Sequence, residues 1–84
     1  MAEKLVGTVT HYFAKPNVGV VALTGNVSAG ETLRFRGHGA DFQQTVQSMQ
    51  VDHVAVNSAA PGAEVAIQVD QKVRAGTEVF KIVP

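Results

Sequence analysis

The 84-residue chain carries 7 Lys plus Arg against 7 Asp plus Glu, a formal net charge of +0, and is 45% hydrophobic. That length suits one domain spanning residues 1–84 and leaves no room for a catalytic domain beside a separate recognition domain. Balanced charge argues against a dedicated nonspecific DNA or RNA binder, and the absence of cysteine excludes disulfides, thiolate metal sites and thiol catalysis.

Short valine-rich runs separated by Gly, Pro, Asn and Ser predict strands at 5–13, 18–23, 32–37, 42–51, 64–69 and 78–83, with a short extended piece at Val54–Val56. No segment carries an apolar stripe of helical period. Pro16-Asn17 is expected to turn the chain between the first two strands, Pro by fixing φ and Asn by tolerating left-handed geometry. The Gly25-Asn26 pair ends the second strand in the same way. Ser28-Ala29-Gly30-Glu31 and Arg74-Ala75-Gly76-Thr77 read as further turns, and Pro61-Gly62 fits the centre of a type II turn.

Alternation assigns the faces. Leu33 and Phe35 point one way, and Thr32, Arg34 and Arg36 the other. Val65, Ile67 and Val69 share a face. Between 42 and 51 the period slips: Phe42, Gln44 and Val46 are in phase, but Met49 and Val51 are not. A bulge near Ser48 would return them to one interior face. Six or seven antiparallel strands in so short a chain predict an all-β fold, a small closed β-barrel without free edges.

Catalytic and metal-binding patterns are weak. His11, His38 and His53 are not spaced as ligands, and a metal site needs three or four. Ser28, Ser48 and Ser58 lie in turns or bulges, with no G-x-S-x-G elbow, and the carboxylates are scattered through turns and strand ends. Gly37-His38-Gly39 has Phe42 where a dinucleotide fingerprint needs a small residue, and no P-loop occurs. Asn26-Val27-Ser28 matches a glycosylation sequon. The opening Met1-Ala2-Glu3-Lys4 lacks the apolar stretch of a secretion signal, so a cytoplasmic protein is expected. No run approaches the ~20 apolar residues of a membrane span. No catalytic residue, cofactor or metal is expected.

A binding surface is the remaining reading. Arg34 and Arg36 project from one strand face, with His38 continuing the row if the strand persists. His11-Tyr12-Phe13-Ala14-Lys15 adds an aromatic pair beside a base, and Lys72 and Arg74 a further basic spot. Guanidinium groups beside an aromatic ring suit a nucleic-acid backbone with an unpaired base. Equally, arginine on an exposed strand face protects against edge pairing, with Phe13 in the core.

Several motifs in order resemble a known family. They are Gly7-Thr8-Val9, Val20 to Leu23, Thr24 to Leu33, Val46 to Val51, Pro61 to Ile67, and Val73 to Phe80. Together, from Val9 through Phe80, they resemble the β-barrel second domain of elongation factor Tu and other translational GTPases. The likeness is closest to short stand-alone elongation factor-like proteins, through His11-Tyr12-Phe13 and Ser48-Met49-Gln50. A similar barrel also occurs as an accessory at the end of some large peptidase-like and RNA-modifying proteins. The resemblance implies a non-catalytic module contacting tRNA or rRNA, without GTP binding, since no GTPase domain is present. Tyr12, Arg34, Arg36, His38, Lys72 and Arg74 are the expected contacts. The alternative is a protein–protein adaptor, docking in trans onto an enzyme or GTPase.

Overall fold

The computed structural model describes residues 2–15 and 17–83. Among the described residues ten strands follow one another without a helix between them: β1 (Ala2–Phe13), β2 (Val18–Leu23), β3 (Val27–Ser28), β4 (Thr32–Gly37), β5 (Ala40–Thr45), β6 (Met49–Val51), β7 (Val54–Val56), β8 (Ser58–Ala59), β9 (Glu64–Gln68) and β10 (Glu78–Val83). Eight form one sheet in the order β5-β4-β10-β1-β2-β9-β6-β7, and β3 pairs with β8 separately. Every pairing is antiparallel. The all-β expectation holds. The closed barrel of six or seven strands does not: β5 and β7 are edges of an open hydrogen-bond ladder. The strand expected over 42–51 is also interrupted, because the phase change is met by breaking the ladder at 46–48 instead of by a bulge within it.

The centre of the sheet is β1, paired on one side with β10 and on the other with β2. Its register shifts between Leu5 and Gly7 against β10, and between Val9 and His11 against β2. Such bulges bend a strand and raise its twist, which lets a long strand follow a curled sheet. The first turns Val6 fully inward. Gly7 follows because the neighbouring strand leaves no space: a Cβ there would stand 2.7 Å from both the Ala22 carbonyl oxygen and Val21 Cγ1.

Valine supplies most of the interior. Val6, Val9, Val21, Val27, Val46, Val65, Val69, Val73 and Val79 are buried together with Leu23, Leu33, Phe35, Phe42, Met49 and Ile67. Branched side chains with few rotamers lose little entropy there and fit the pleat. Phe35 and Phe42, opposite one another on β4 and β5, stack with centroids 5.1 Å apart. The inward sets read from the sequence, Leu33 with Phe35 and Val65 with Ile67 and Val69, are all buried. Phe13 is not in the core: it is 54% exposed, since the second bulge sends Tyr12 toward the interior and His11 and Phe13 outward.

The turns follow their residues. Gly30, Gly62 and Gly76 all take positive φ, and the Ala63 N–H donates to the Ala60 carbonyl across Pro61-Gly62. Asn17 has φ 68°. Its expected partner in that turn, Pro16, lies outside the described residues. Among the described residues no helix is long and apolar enough to cross a membrane.

Candidate binding surfaces

The sheet presents two surfaces built from the residues singled out in the sequence. The first is the outer wall of β4, β10 and β1. Arg34 and Arg36 share it, because Leu33 and Phe35 take the inner phase. Arg34 is held between two carboxylates: Nη1 donates to Glu3 Oε2 at 2.6 Å, while Nε and Nη2 donate to the two Asp41 oxygens at 3.0 and 3.2 Å. These bonds, to Glu3 first and then Asp41, push the Arg34 pKa up from its ordinary value. Arg36 lies over the Phe80 ring, 5.0 Å from its centroid, and 4.0 Å from Glu3 Oε1. Leu5 pairs with Phe80 and Glu3 with Ile82 across β1 and β10. Leu5 is 45% exposed, so the wall carries an apolar strip beside a salt-bridged one. A depression of about 190 Å³ lined by Ala2, Glu3, Gln43 and Ile82 lies next to it.

The second surface is the looped end of the sheet. His38 does not extend the arginine row. The strand stops at Gly37, and His38 takes φ 53° as the first central residue of the β4–β5 hairpin. Its imidazole instead fills the space over Gly76, where a Cβ would come within 2.7 Å of Nε2. Buried Thr77 fixes the same junction through Oγ1, which donates to the Gly37 carbonyl at 3.3 Å. On the other side, the Val69 N–H donates to the Asn17 carbonyl at 2.9 Å, and the Tyr12 hydroxyl donates to Asn17 Oδ1 at 2.8 Å. Tyr12 near the end of β1, His38 in the β4–β5 turn, and the loop before β10 that carries Lys72 and Arg74 are thereby brought to one end of the sheet. Lys15, the base of the His11–Lys15 segment, lies in the adjoining β1–β2 connection. Lys15, Lys72 and Arg74 are exposed and make no ion pair among the described residues.

Among the described residues no three His, Cys, Asp or Glu side chains converge as metal ligands. Lys81, by contrast, is held by the Asn26 carbonyl at 3.0 Å and Glu31 at 3.5 Å.

A third feature escaped the sequence reading. Gln44 is buried on β5, and its carboxamide crosses to the far side of β9. Nε2 donates to the Gln68 carbonyl, and Oε1 accepts from the Asp70 N–H, both at 2.8 Å. The available signal was a polar residue in the same inward phase as Phe42 and Val46, since a buried amide needs partners.

Comparison with known proteins defines the fold class. No family model and no curated protein matches the chain. Solved structures do. The C-terminal domain of a Geobacillus thermoleovorans protein described as a U32 peptidase superposes with TM-score 0.88 at 17% identity, covering 95% of this chain and 93% of that one. A selenomethionine form of the same domain gives TM-score 0.86 at 16% identity, covering 90% and 96%. The chain is thus an all-β domain with the fold of that C-terminal domain. The resemblance to elongation factor Tu and to stand-alone elongation factor-like proteins is corrected by these neighbours, which are not translation factors. Short valine strands with Gly-bearing turns recur wherever small sheets curl, so motifs of that kind could not separate the two families.

Proposed function

We propose that the chain is a non-catalytic accessory module that docks in trans onto a protein partner, an enzyme, through the outer wall of β4, β10 and β1. The observation that carries this reading is the condition of the arginine row. Arg34 is held by two carboxylates and Arg36 is stacked on Phe80 with Glu3 alongside, so the row offers a phosphate little uncompensated charge. What they flank is an apolar strip of exposed Leu5 with half-buried Phe80 and Ile82. Aromatic and arginine side chains around a small apolar centre are the composition of a protein interface. The fold neighbours, being one terminal domain of a larger protein described as a peptidase, support an accessory role by analogy.

A second reading, RNA contact, is favoured by the unpaired cations Lys15, Lys72 and Arg74 gathered near Tyr12 at the looped end. Two variants and one treatment separate the readings. Pull-down from the native cell is carried out with and without ribonuclease, using the wild type, Leu5→Lys, and the double variant Lys72→Gln with Arg74→Gln. Docking predicts a protein captured despite ribonuclease, lost with Leu5→Lys and kept by the double variant. Capture abolished by ribonuclease, or dependent on Lys72 and Arg74 and indifferent to Leu5, overturns docking in favour of RNA.

A further inference from the structure

β2 has no polar side chain in either phase. Gly19, Val21 and Leu23 face the core and are buried, while Val18, Val20 and Ala22 take the outer phase and are half-buried. An antiparallel sheet with one solvated face normally alternates apolar with polar, and a strand apolar in both phases is the pattern of one covered on both sides. The registers extend this outer face over three strands. One row is Phe13, Val18 and Gln68, the next is His11, Val20 and Ala66, and the third is Thr8, Ala22 and Glu64. Phe13 stands at the corner, 54% exposed. No Lys or Arg occurs in the three rows, and Glu64 is their one carboxylate.

The two flanks of β2 complement each other. On the β1 side of Val18 stands the Phe13 ring. On the β9 side is a depression of about 200 Å³ lined by Val18, Ser48, Gln50, Ala66 and Gln68. Just beyond each feature, at the end of the sheet where the Val69 N–H meets the Asn17 carbonyl, lies an exposed charge. Lys15 follows Phe13 by two residues and Asp70 follows Gln68 by two, and neither makes an ion pair among the described residues. A knob beside a cation thus lies on one side of β2, and a socket beside an anion on the other.

We propose that a second copy of this chain covers the outer face of β2, in a dimer whose twofold axis runs along that strand. Val18 and Val20 then meet their own counterparts on the axis. Each Phe13 enters the depression beside Gln68 of the other copy, and each Lys15 faces the other copy's Asp70, giving two ion pairs by symmetry. Sheets packed face to face keep their strands nearly aligned, as this axis does. A twofold across the strands would instead set Phe13 against Thr8 and Gln68 against Glu64, leaving the ring on a polar side chain and the socket empty. Three strands about 4.8 Å apart and about six residues long present roughly 300 Å² in projection. That is the small end of specific interfaces, so the dimer is weak and forms as concentration rises. The face shares only β1 with the docking wall and does not depend on it.

The test is sedimentation velocity of the full chain from about 10 μM to about 1 mM, with monomer expected at the low end and dimer at the high end. Phe13→Ser, at an exposed position outside the core, should raise the dissociation constant about tenfold. Lys15→Glu and Asp70→Lys should each weaken the dimer about fivefold, because each sets like charges opposite one another twice. Mixed in equal amounts, these two variants form a heterodimer in which both charge pairs are opposite again. The mixture should therefore associate about fivefold more tightly than either variant alone. Such a gain arises only between copies, so an effect of either substitution on the fold of its own chain does not produce it. A monomer at 1 mM, association indifferent to Phe13→Ser, or no gain on mixing would overturn the proposal. So would a dimer lost with Leu5→Lys and kept by Phe13→Ser.

Discussion

The two sides of the sheet are joined by different means. From β4 through β10, β1 and β2 to β9, each strand meets its neighbour along a backbone ladder of four to six paired residues. Between β5 and the end of β9 the connection is the single carboxamide of Gln44. A ladder is a set of repeated bonds that no one side chain controls, whereas a clasp made by one side chain can be removed by one substitution. Continuous ladders should therefore respond to mutation through backbone fit, and the clasped seam through chemistry at a single residue.

The largest expected effect lies on the laddered side. Gly7→Ala would bring a methyl group against the Ala22 carbonyl oxygen and Val21 Cγ1, both at 2.7 Å. Backbone cannot yield as a flexible side chain can, so β1 and β2 would have to separate. The expected loss is about 2–3 kcal/mol, read from urea unfolding. Gly19→Ala is the control: its nearest neighbour is Val73 Cγ2 at 3.3 Å, a side-chain atom, and its loss should be well under half of that. Equal losses would mean that the close approach at Gly7 is not what holds the strands in place.

At the seam, Gln44→Ala leaves the Gln68 carbonyl and the Asp70 N–H without their partner. Two lost bonds in a part-buried setting should cost about 1–2 kcal/mol, less than Gly7→Ala because water reaches the vacated groups. Hydrogen exchange adds a sharper mark. The Asp70 amide should lose protection far beyond the global change, while amides of β1 and β2 follow global stability alone. If the whole molecule loosens uniformly, the distinction between clasp and ladder fails.

Much of this was legible in the chain, and the exceptions have physical causes. β2, β4, β7 and β10 fall at the expected residues because each is a short strand-forming run set off by recognisable turns. β3 and β8 were missed since two residues give no period to read. Phe13 was misplaced because the bulge before His11 reverses the phase, and a bulge leaves no mark in composition. The arginine pair was visible as a row, but its partners are Glu3, far away in sequence, and Asp41, on the next strand. Charge arithmetic counts ions without pairing them. Lys72 and Arg74 were legible as a basic spot and Lys15 as a base beside the aromatic pair, but that they make no ion pair with described residues shows only in the fold.

The smallest effect concerns the hairpin at the seam's margin, and it has the opposite sign. Both two-residue hairpins have positive φ at each central position: His38 and Gly39 in one, Asp52 at 52° and His53 at 64° in the other. Such primed turns match strand twist and favour Asn-Gly or Asp-Gly. The β4–β5 turn has its glycine, while the β6–β7 turn places a Cβ-bearing histidine in left-handed geometry, at a cost of about 1 kcal/mol. Glycine at that position gives back part of the gain through a freer unfolded chain, roughly 0.5 kcal/mol. His53→Gly should therefore stabilise by about 0.5 kcal/mol, provided that β6 and β7 unfold together with the rest of the sheet. A raised urea midpoint would bind this hairpin to the cooperative unit. An unchanged midpoint with slower exchange at Val54 and Val56 would show that the sheet beyond the seam opens on its own, extending the contrast between ladder and clasp to the strands that follow it.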